Sequence, residues 1–420
     1  MDDPNSLGKE ATPNSTIRES NEKMKMTRIA LAIAATAVVS TPALATNGDS
    51  LIGLGAHSRA MGGTGAAMFM GSENALTNPG LLGKSKGTEF AIGGTLFKPA
   101  VKDKSTTAGA TSPTSANDTN IIPEVSLSTR LDKNLTFGLG IFGSAGMGVD
   151  YQDDNKLFNA YSNLQLMKFA PTLAYNTSKF GIGFAPVLQY GALDINYKNT
   201  SGTVGNGMSS DLGMGFNLGG YFDLAKNLTL GLSYQSAIDM KYKNQITTAS
   251  KGFALTGFTD HLEQPAELKA GVAYGMGNYT ITADAKQIAW GSAKGYKDFN
   301  WKDQNVFALG MKYAGQGYWL GAGANYGDDP IKKLNDSSYS NQAVNMFNNV
   351  FFPGIVTTHV TFGGGYKLTK NMALDGSVVY APEVNKTINT GFISKTTATG
   401  TTQKTTHSQI GYTVSLRMNF

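Results

Sequence analysis

Apolar and polar side chains alternate one for one along much of this chain. Over residues 413–420 the alternation has no exception: Val414, Leu416, Met418 and Phe420 fall on one face of an extended strand, and Thr413, Ser415, Arg417 and Asn419 on the other. The same period recurs upstream. Leu228, Leu230, Leu232 and Tyr234 oppose Thr229, Gly231, Ser233 and Gln235. Tyr279, Ile281, Ala283 and Ala285 oppose Thr280, Thr282, Asp284 and Lys286, and Val360, Phe362 and Tyr366 oppose Thr361, Gly363, Gly365 and Lys367. Short polar turns punctuate the pattern at Asp132-Lys133-Asn134, Thr177-Ser178-Lys179, Ala225-Lys226-Asn227, Met276-Gly277-Asn278, Ala314-Gly315-Gln316-Gly317 and Thr369-Lys370-Asn371. Each joins two strands, which makes twelve; one more over 88–99 and another over 407–420 make fourteen.

The connections between these hairpins are long and polar, over 100–120, 144–164, 191–210, 241–262, 291–300, 327–356 and 385–406. Short turns at one end and long loops at the other, with a terminal Phe, are the signature of an outer-membrane barrel. The expected fold is all-β: a fourteen-stranded antiparallel transmembrane β-barrel over 88–420, apolar outside and polar inside. A soluble sandwich would also alternate, but needs neither the one-sided loops nor the terminal aromatic.

Composition agrees. Charged residues are 15% of the chain, and Gly (51), Tyr (18) and Phe (21) are abundant. The mean hydropathy of −0.19 leaves no stock of the apolar runs of about 20 residues that helical membrane spans require. The absence of Cys excludes disulfides and thiolate chemistry, and a scattered net charge of +5 gives no basic block for nucleic acid.

The N-terminus reads as an export signal over 24–45, with Lys25 and Arg28 before a short apolar core at 29–39. Ala43-Leu44-Ala45 is the cleavage site, and Thr46 the expected mature start. Residues 1–23 read as an extension or a miscalled start. Residues 46–87 do not alternate. Rich in glycine and small residues, and carrying Ala66-Ala67-Met68-Phe69-Met70, they are expected to fill the barrel lumen as a hatch.

Gly55-Ala56-His57-Ser58-Arg59-Ala60-Met61-Gly62-Gly63-Thr64-Gly65 followed by Asn78-Pro79 resembles the hatch of the FadL family of outer-membrane transporters. Gln264-Pro265-Ala266-Glu267, Asp284 with Trp290, Asn325-Tyr326-Gly327, Phe352-Pro353-Gly354 and His359 extend the resemblance over 46–420. Asn78-Pro79-Gly80 departs from it, since many members carry Ala after the Pro. The resemblance implies passive uptake of hydrophobic molecules, with long-chain fatty acids as the first expectation and aromatic or aliphatic hydrocarbons as the second. Capture by apolar loops, a pocket above the hatch and lateral release through the wall would be the steps.

Two loops carry apolar residues suited to capture: Met147, Tyr151, Leu157 and Phe158 in one, Met346, Phe347, Phe351 and Phe352 in the other. Phe69 and Met70 are candidates for the pocket floor. Arg59, Asn78 and Pro79 mark the hatch. Lumen-facing charges are expected at Lys168, Lys269, Lys286, Lys367, Arg417, Glu267, Asp284 and Asp375, tying hatch to wall, with any one of them a candidate to hold a carboxylate. Expected partners are the substrate, outer-membrane lipid and lipopolysaccharide, and the barrel assembly machinery through Phe420; the chain is expected to act as a monomer.

Other signals carry little. Gly138-Leu139-Gly140-Ile141-Phe142-Gly143 matches a dinucleotide fingerprint but sits in a strand pattern. His57, His261, His359 and His407 have no ligand spacing, and Asp150, Asp153 and Asp154 read as solvated acids, so neither metal nor cofactor is expected. An outer-wall lipid hydrolase would need a nucleophile near His359 or His407, and none is evident. An open porin for polar solutes is disfavoured by the hatch.

Overall fold

The computed structural model describes residues 46–106, 109–394 and 400–420, so the expected signal at 24–45 and extension at 1–23 lie outside the described residues. Fourteen long strands build the wall. They are β1 Thr88–Ser105, β2 Asn120–Arg130, β3 Leu135–Asp150, β4 Tyr161–Asn176, β5 Phe180–Asn199, β6 Ser209–Ala225 and β7 Leu228–Gln235. After a long loop follow β8 Glu267–Met276, β9 Tyr279–Ile288, β10 Gln304–Ala314, β11 Tyr318–Gly327, β12 Thr358–Lys367, β13 Met372–Asn389 and β14 Thr402–Asn419. Each pairs antiparallel with the next. β14 returns to β1 over a ladder from Asn419↔Glu89 to Gln403↔Ser105, which closes the sheet into a ring. Phe420 completes the seam by donating its N–H to Thr88 O at 2.9 Å.

The pleat follows the sequence pattern. Leu230, Leu232, Tyr234, Ile281, Phe362 and Val414 are exposed to the outside, and Ser233, Thr282, Asp284, Thr361, Thr413 and Ser415 are buried inside. The short turns fall where the sequence puts them. The long loops begin later than expected, because strands continue into them: β1 has 18 residues, β3 and β4 have 16 each, β5 has 20, and β13 and β14 have 18. A membrane crossing needs only about 9–11 residues. The excess stands above the apolar belt, where the outward positions turn polar, as at Lys102 and Lys104 of β1 and Asn196 and Lys198 of β5, while inward ones such as Val101, Ile195 and Tyr197 stay buried.

The β2–β3 ladder of the wall stops early. β2 and β3 share a ladder only from Arg130↔Thr136 to Glu124↔Phe142. Beyond it β2 stays with β1 up to Asn120↔Phe97, and β3 stays with β4 up to Asp150↔Tyr161. A bulge at Ser144, between Gly143 and Ala145, marks the parting.

Candidate functional site

Residues 46–87 sit inside the ring, as their hydrogen bonds to strands all around it require. Helix α1, Gly55–Ala60, carries Arg59, which is 2% exposed and lies 2.6 Å from Glu124 on β2; its other nitrogen donates to Thr95 of β1 at 2.8 Å. Gly62 N–H donates to Thr361 of β12 at 2.9 Å. Gly65 and Ala66 N–H groups donate to Asp284 of β9 at 2.8 and 2.9 Å. Asn78 donates to Ala66 O at 2.6 Å and to Gly220 O of β6 at 2.9 Å, and caps the short 3-10 helix Pro79–Lys84 by accepting from Gly80. Plug backbone and wall backbone touch directly: a Cβ on Gly231 of β7 would lie 1.8 Å from Ala66 O. This is one physical use of the abundant glycine.

The expected lumen charges pair in part as foreseen. Asp375 accepts from Arg417 at 2.9 Å and from Trp319 Nε1 at 2.7 Å, with His57 stacked on Trp319 at 4.2 Å. Lys367 is a correction: it ends β12 and is exposed. The partner of Arg59 is Glu124, which the sequence reading did not single out; on β2 it is an inward position of an ordinary alternating strand.

Three of the lysines converge. A cavity of about 60 Å³ lies between the plug and the wall, lined by residues 50–54, Leu76 and Thr77 of the plug and by Lys168, Lys269, Lys286 and Glu267. Ser144, the bulged residue beside the β2–β3 gap, also lines it. Ser50 pairs with Ala145 of β3 beside the gap, and Gly146 N–H donates to Asp49 O at 3.1 Å, so plug main chain lies against β3 there. Lys286 is paired with Glu267 at 3.2 Å. Lys168 is only 4% exposed and, among the described residues, forms neither a hydrogen bond nor an ion pair; Asp49 and Glu267 act on its charge from further away. Phe69 and Met70 do not line this cavity. The main chain just before them is held against β7 and β9 through Ala66, and on the plug side residues 50–54 with Leu76 and Thr77 line the cavity.

Above it lies an aromatic roof. Helix α2, Tyr339–Phe351, turns inward, and Phe347, Phe351 and Phe352 are buried with Met346. Phe347 stacks on Phe299 at 4.7 Å and lies 4.8 Å from Phe351, which meets Tyr197 at 5.5 Å and Phe253 at 6.0 Å. Met147 is a strand residue, on β3, where a capture loop was expected; it lines a small apolar gallery with Ile246, Leu262, Tyr296, Phe299, Trp301 and Phe352. Tyr151 and Leu157 are buried, and Phe158 packs edge-on against Phe253 at 6.0 Å. The two candidate loops therefore meet in one roof.

A family model described as outer membrane protein transport protein (OMPP1/FadL/TodX) matches residues 31–420. The chain belongs to this family. Its place is the bacterial outer membrane. Solved structures share the fold: the Pseudomonas putida toluene transporter TodX is 21% identical with a TM-score of 0.65, covering 89% of this chain and 100% of that one. A Pseudomonas aeruginosa FadL homologue is 13% identical with a TM-score of 0.68 over 89% and 100%. The Ralstonia pickettii toluene transporter TbuX is 18% identical with a TM-score of 0.63 over 88% and 98%. A curated relative from Chlorobium limicola, an uncharacterised protein from the 5′ region of the phosphoenolpyruvate carboxykinase gene, is 51% identical over 53 residues. That match spans 13% of this chain and 26% of the relative.

In this member of the OMPP1/FadL/TodX family, Tyr296 and Trp301 are contacts that the sequence did not single out, whereas Gln264 stood there only as part of the family resemblance. Tyr296 donates its hydroxyl to Asp49, and Gln264 Nε2 donates to the same carboxylate at 3.0 Å, so an outer loop grips the plug. Trp301 Nε1 donates to Asn348 Oδ1 at 3.0 Å, fixing α2 to that loop. A Trp and two Tyr or Phe within a polar loop is the signal that could have found them. His359 and His407 are buried on the inner side, His407 Nδ1 lying 2.8 Å from Pro353 O, away from the outer wall a lipid hydrolase would use.

Proposed function

We propose that this chain carries long-chain fatty acids passively from the loops, past the aromatic roof and the lysine-lined cavity, to the β2–β3 gap. The observation that supports the choice of substrate is Lys168, a buried side chain that has no ion partner among the described residues, in a cavity it shares with Lys269, Lys286 and Glu267. A neutral hydrocarbon gains nothing from such a group, whereas a carboxylate gains a charge-assisted hydrogen bond. The cavity has room for about four waters, enough for a headgroup. The gallery above it is nearly closed, so the roof must shift to admit a chain. No energy source is part of this reading: movement is downhill partitioning along an apolar path.

A second reading is uptake of aromatic hydrocarbons, favoured by the ring-lined gallery under Phe299, Trp301 and Phe352. Binding of radiolabelled oleate and toluene to the purified protein, each against Lys168→Met, separates the two. Saturable oleate binding that falls about ten-fold or more in Lys168→Met supports the fatty acid reading. Toluene binding indifferent to Lys168 moves the protein to the hydrocarbon reading, and binding of neither ligand sinks both.

A further inference from the structure

β1 and β14 run side by side above the lipid-facing belt, and their outward faces change character at the same level. On β1 the outward positions pass from Leu96 to Lys98, Lys102 and Lys104; on β14 they pass from Tyr412 and Ile410 to Lys404. Ile410 stands opposite Lys98, and Lys104 stands opposite Lys404. All four lysines are exposed. Lys98 donates to Thr119 Oγ1 at 2.8 Å, whereas among the described residues Lys102, Lys104 and Lys404 have no side-chain hydrogen bond or ion pair. Asp103, between two of them in sequence, points inward, where Gln403 and Thr405 hold its carboxylate at 3.0 and 2.8 Å.

Like charges directly opposite one another in a ladder repel, at Cβ separations of about 5 Å, and same-face neighbours on one strand are about 7 Å apart. A cluster of this kind is stabilised by an external polyanion. Lys98, the first of these lysines, follows Leu96 on the outward face and stands opposite Ile410, so the apolar face of both strands ends there. We infer that the β1–β14 seam is a binding surface for outer-leaflet lipopolysaccharide, with its acyl chains against Leu96 and Ile410 and its lipid A phosphates on Lys102, Lys104 and Lys404. Its lysines face outward and line neither the aromatic roof nor the lysine-lined cavity.

The test is binding of bis-phosphorylated lipid A, and of the same lipid dephosphorylated, to the purified protein in detergent containing EDTA. The variants are the triple Lys102→Gln, Lys104→Gln, Lys404→Gln and a control triple Lys179→Gln, Lys226→Gln, Lys370→Gln at the opposite end. The expected result is preference for the phosphorylated lipid, lost by about ten-fold or more in the first triple only. In the unaltered protein, affinity should fall as salt rises. Equal binding of both lipids, equal binding by both triples, or full displacement by inorganic phosphate at the same charge concentration overturns the inference; the last identifies a simple anion site. Heat-modified gel mobility checks that each variant keeps its barrel.

Discussion

Arg59 of the plug lies 2.6 Å from Glu124, the last residue of β2 that shares a rung with β3. Gly55 N–H donates to the same carboxylate at 3.3 Å. The plug is thus moored at the edge of the β2–β3 gap, and seating of the plug and width of the gap depend on a common contact.

Removing one partner of a buried pair strands the other charge, at a cost of about 3–5 kcal/mol. Arg59→Met is therefore expected to unseat the plug and raise ion conductance in planar bilayers. Arg59→Met combined with Glu124→Leu should recover most of the unaltered protein's low conductance. Unchanged conductance in the single variant would mean that the plug is held elsewhere.

Gly231 tests the backbone contact. Any Cβ there meets Ala66 O at 1.8 Å, and neither main chain can yield without leaving its strand or its Asp284 hydrogen bond. Gly231→Ala should expose the plug to trypsin in detergent. Gly376→Ala, where the nearest atom would be 3.4 Å away, should not.

The roof should lose stability in proportion to ring burial. Phe351 is 0% exposed and packed among Phe347, Phe253 and Tyr197, so Phe351→Ala is expected to cost about 3–5 kcal/mol, read as a lowered melting temperature. Phe352 is 8% exposed and lines the gallery. Phe352→Ala should weaken oleate binding several-fold with a smaller change in melting; the reverse ranking would make Phe352 a packing residue only.

The outer loops carry a pH-dependent clasp. Asp239 accepts from Lys294 at 2.5 Å and lies 2.9 Å from His261. Burial pushes its carboxyl upward, but the Lys294 and His261 groups outweigh that and hold it below the ordinary carboxylate value. A depressed folded-state value stabilises at pH above the unfolded value of about 3.9 and is lost as pH falls through the folded one. Hydrogen exchange over 236–266 and 289–303, corrected for the intrinsic rate, should accelerate as the pH falls below about 4. Asp239→Asn should abolish that acid step; its persistence would assign the step to another group.

Strand number, the outward face of each strand and the end carrying the short turns were legible in the sequence. Each depends on a period of two and on turn residues, which are local. The lengths of β1, β5, β13 and β14 were not, because above the membrane the outward positions turn polar and the apolar-out alternation that marks a strand is lost, even where inward residues such as Val101, Ile195 and Tyr197 stay buried. Arg59 was recognisable as a hatch charge, but not that it meets Glu124, 65 positions further along the chain by number (124 − 59). Convergence of Lys168 with Lys269 and Lys286, and burial of Phe347 and Phe351 beneath Tyr197 and Phe253, were also decided by the tertiary structure. The physical reason is the same in each case. Alternation says which way a side chain points across the wall, while barrel closure and stagger decide which pointing side chains share a level.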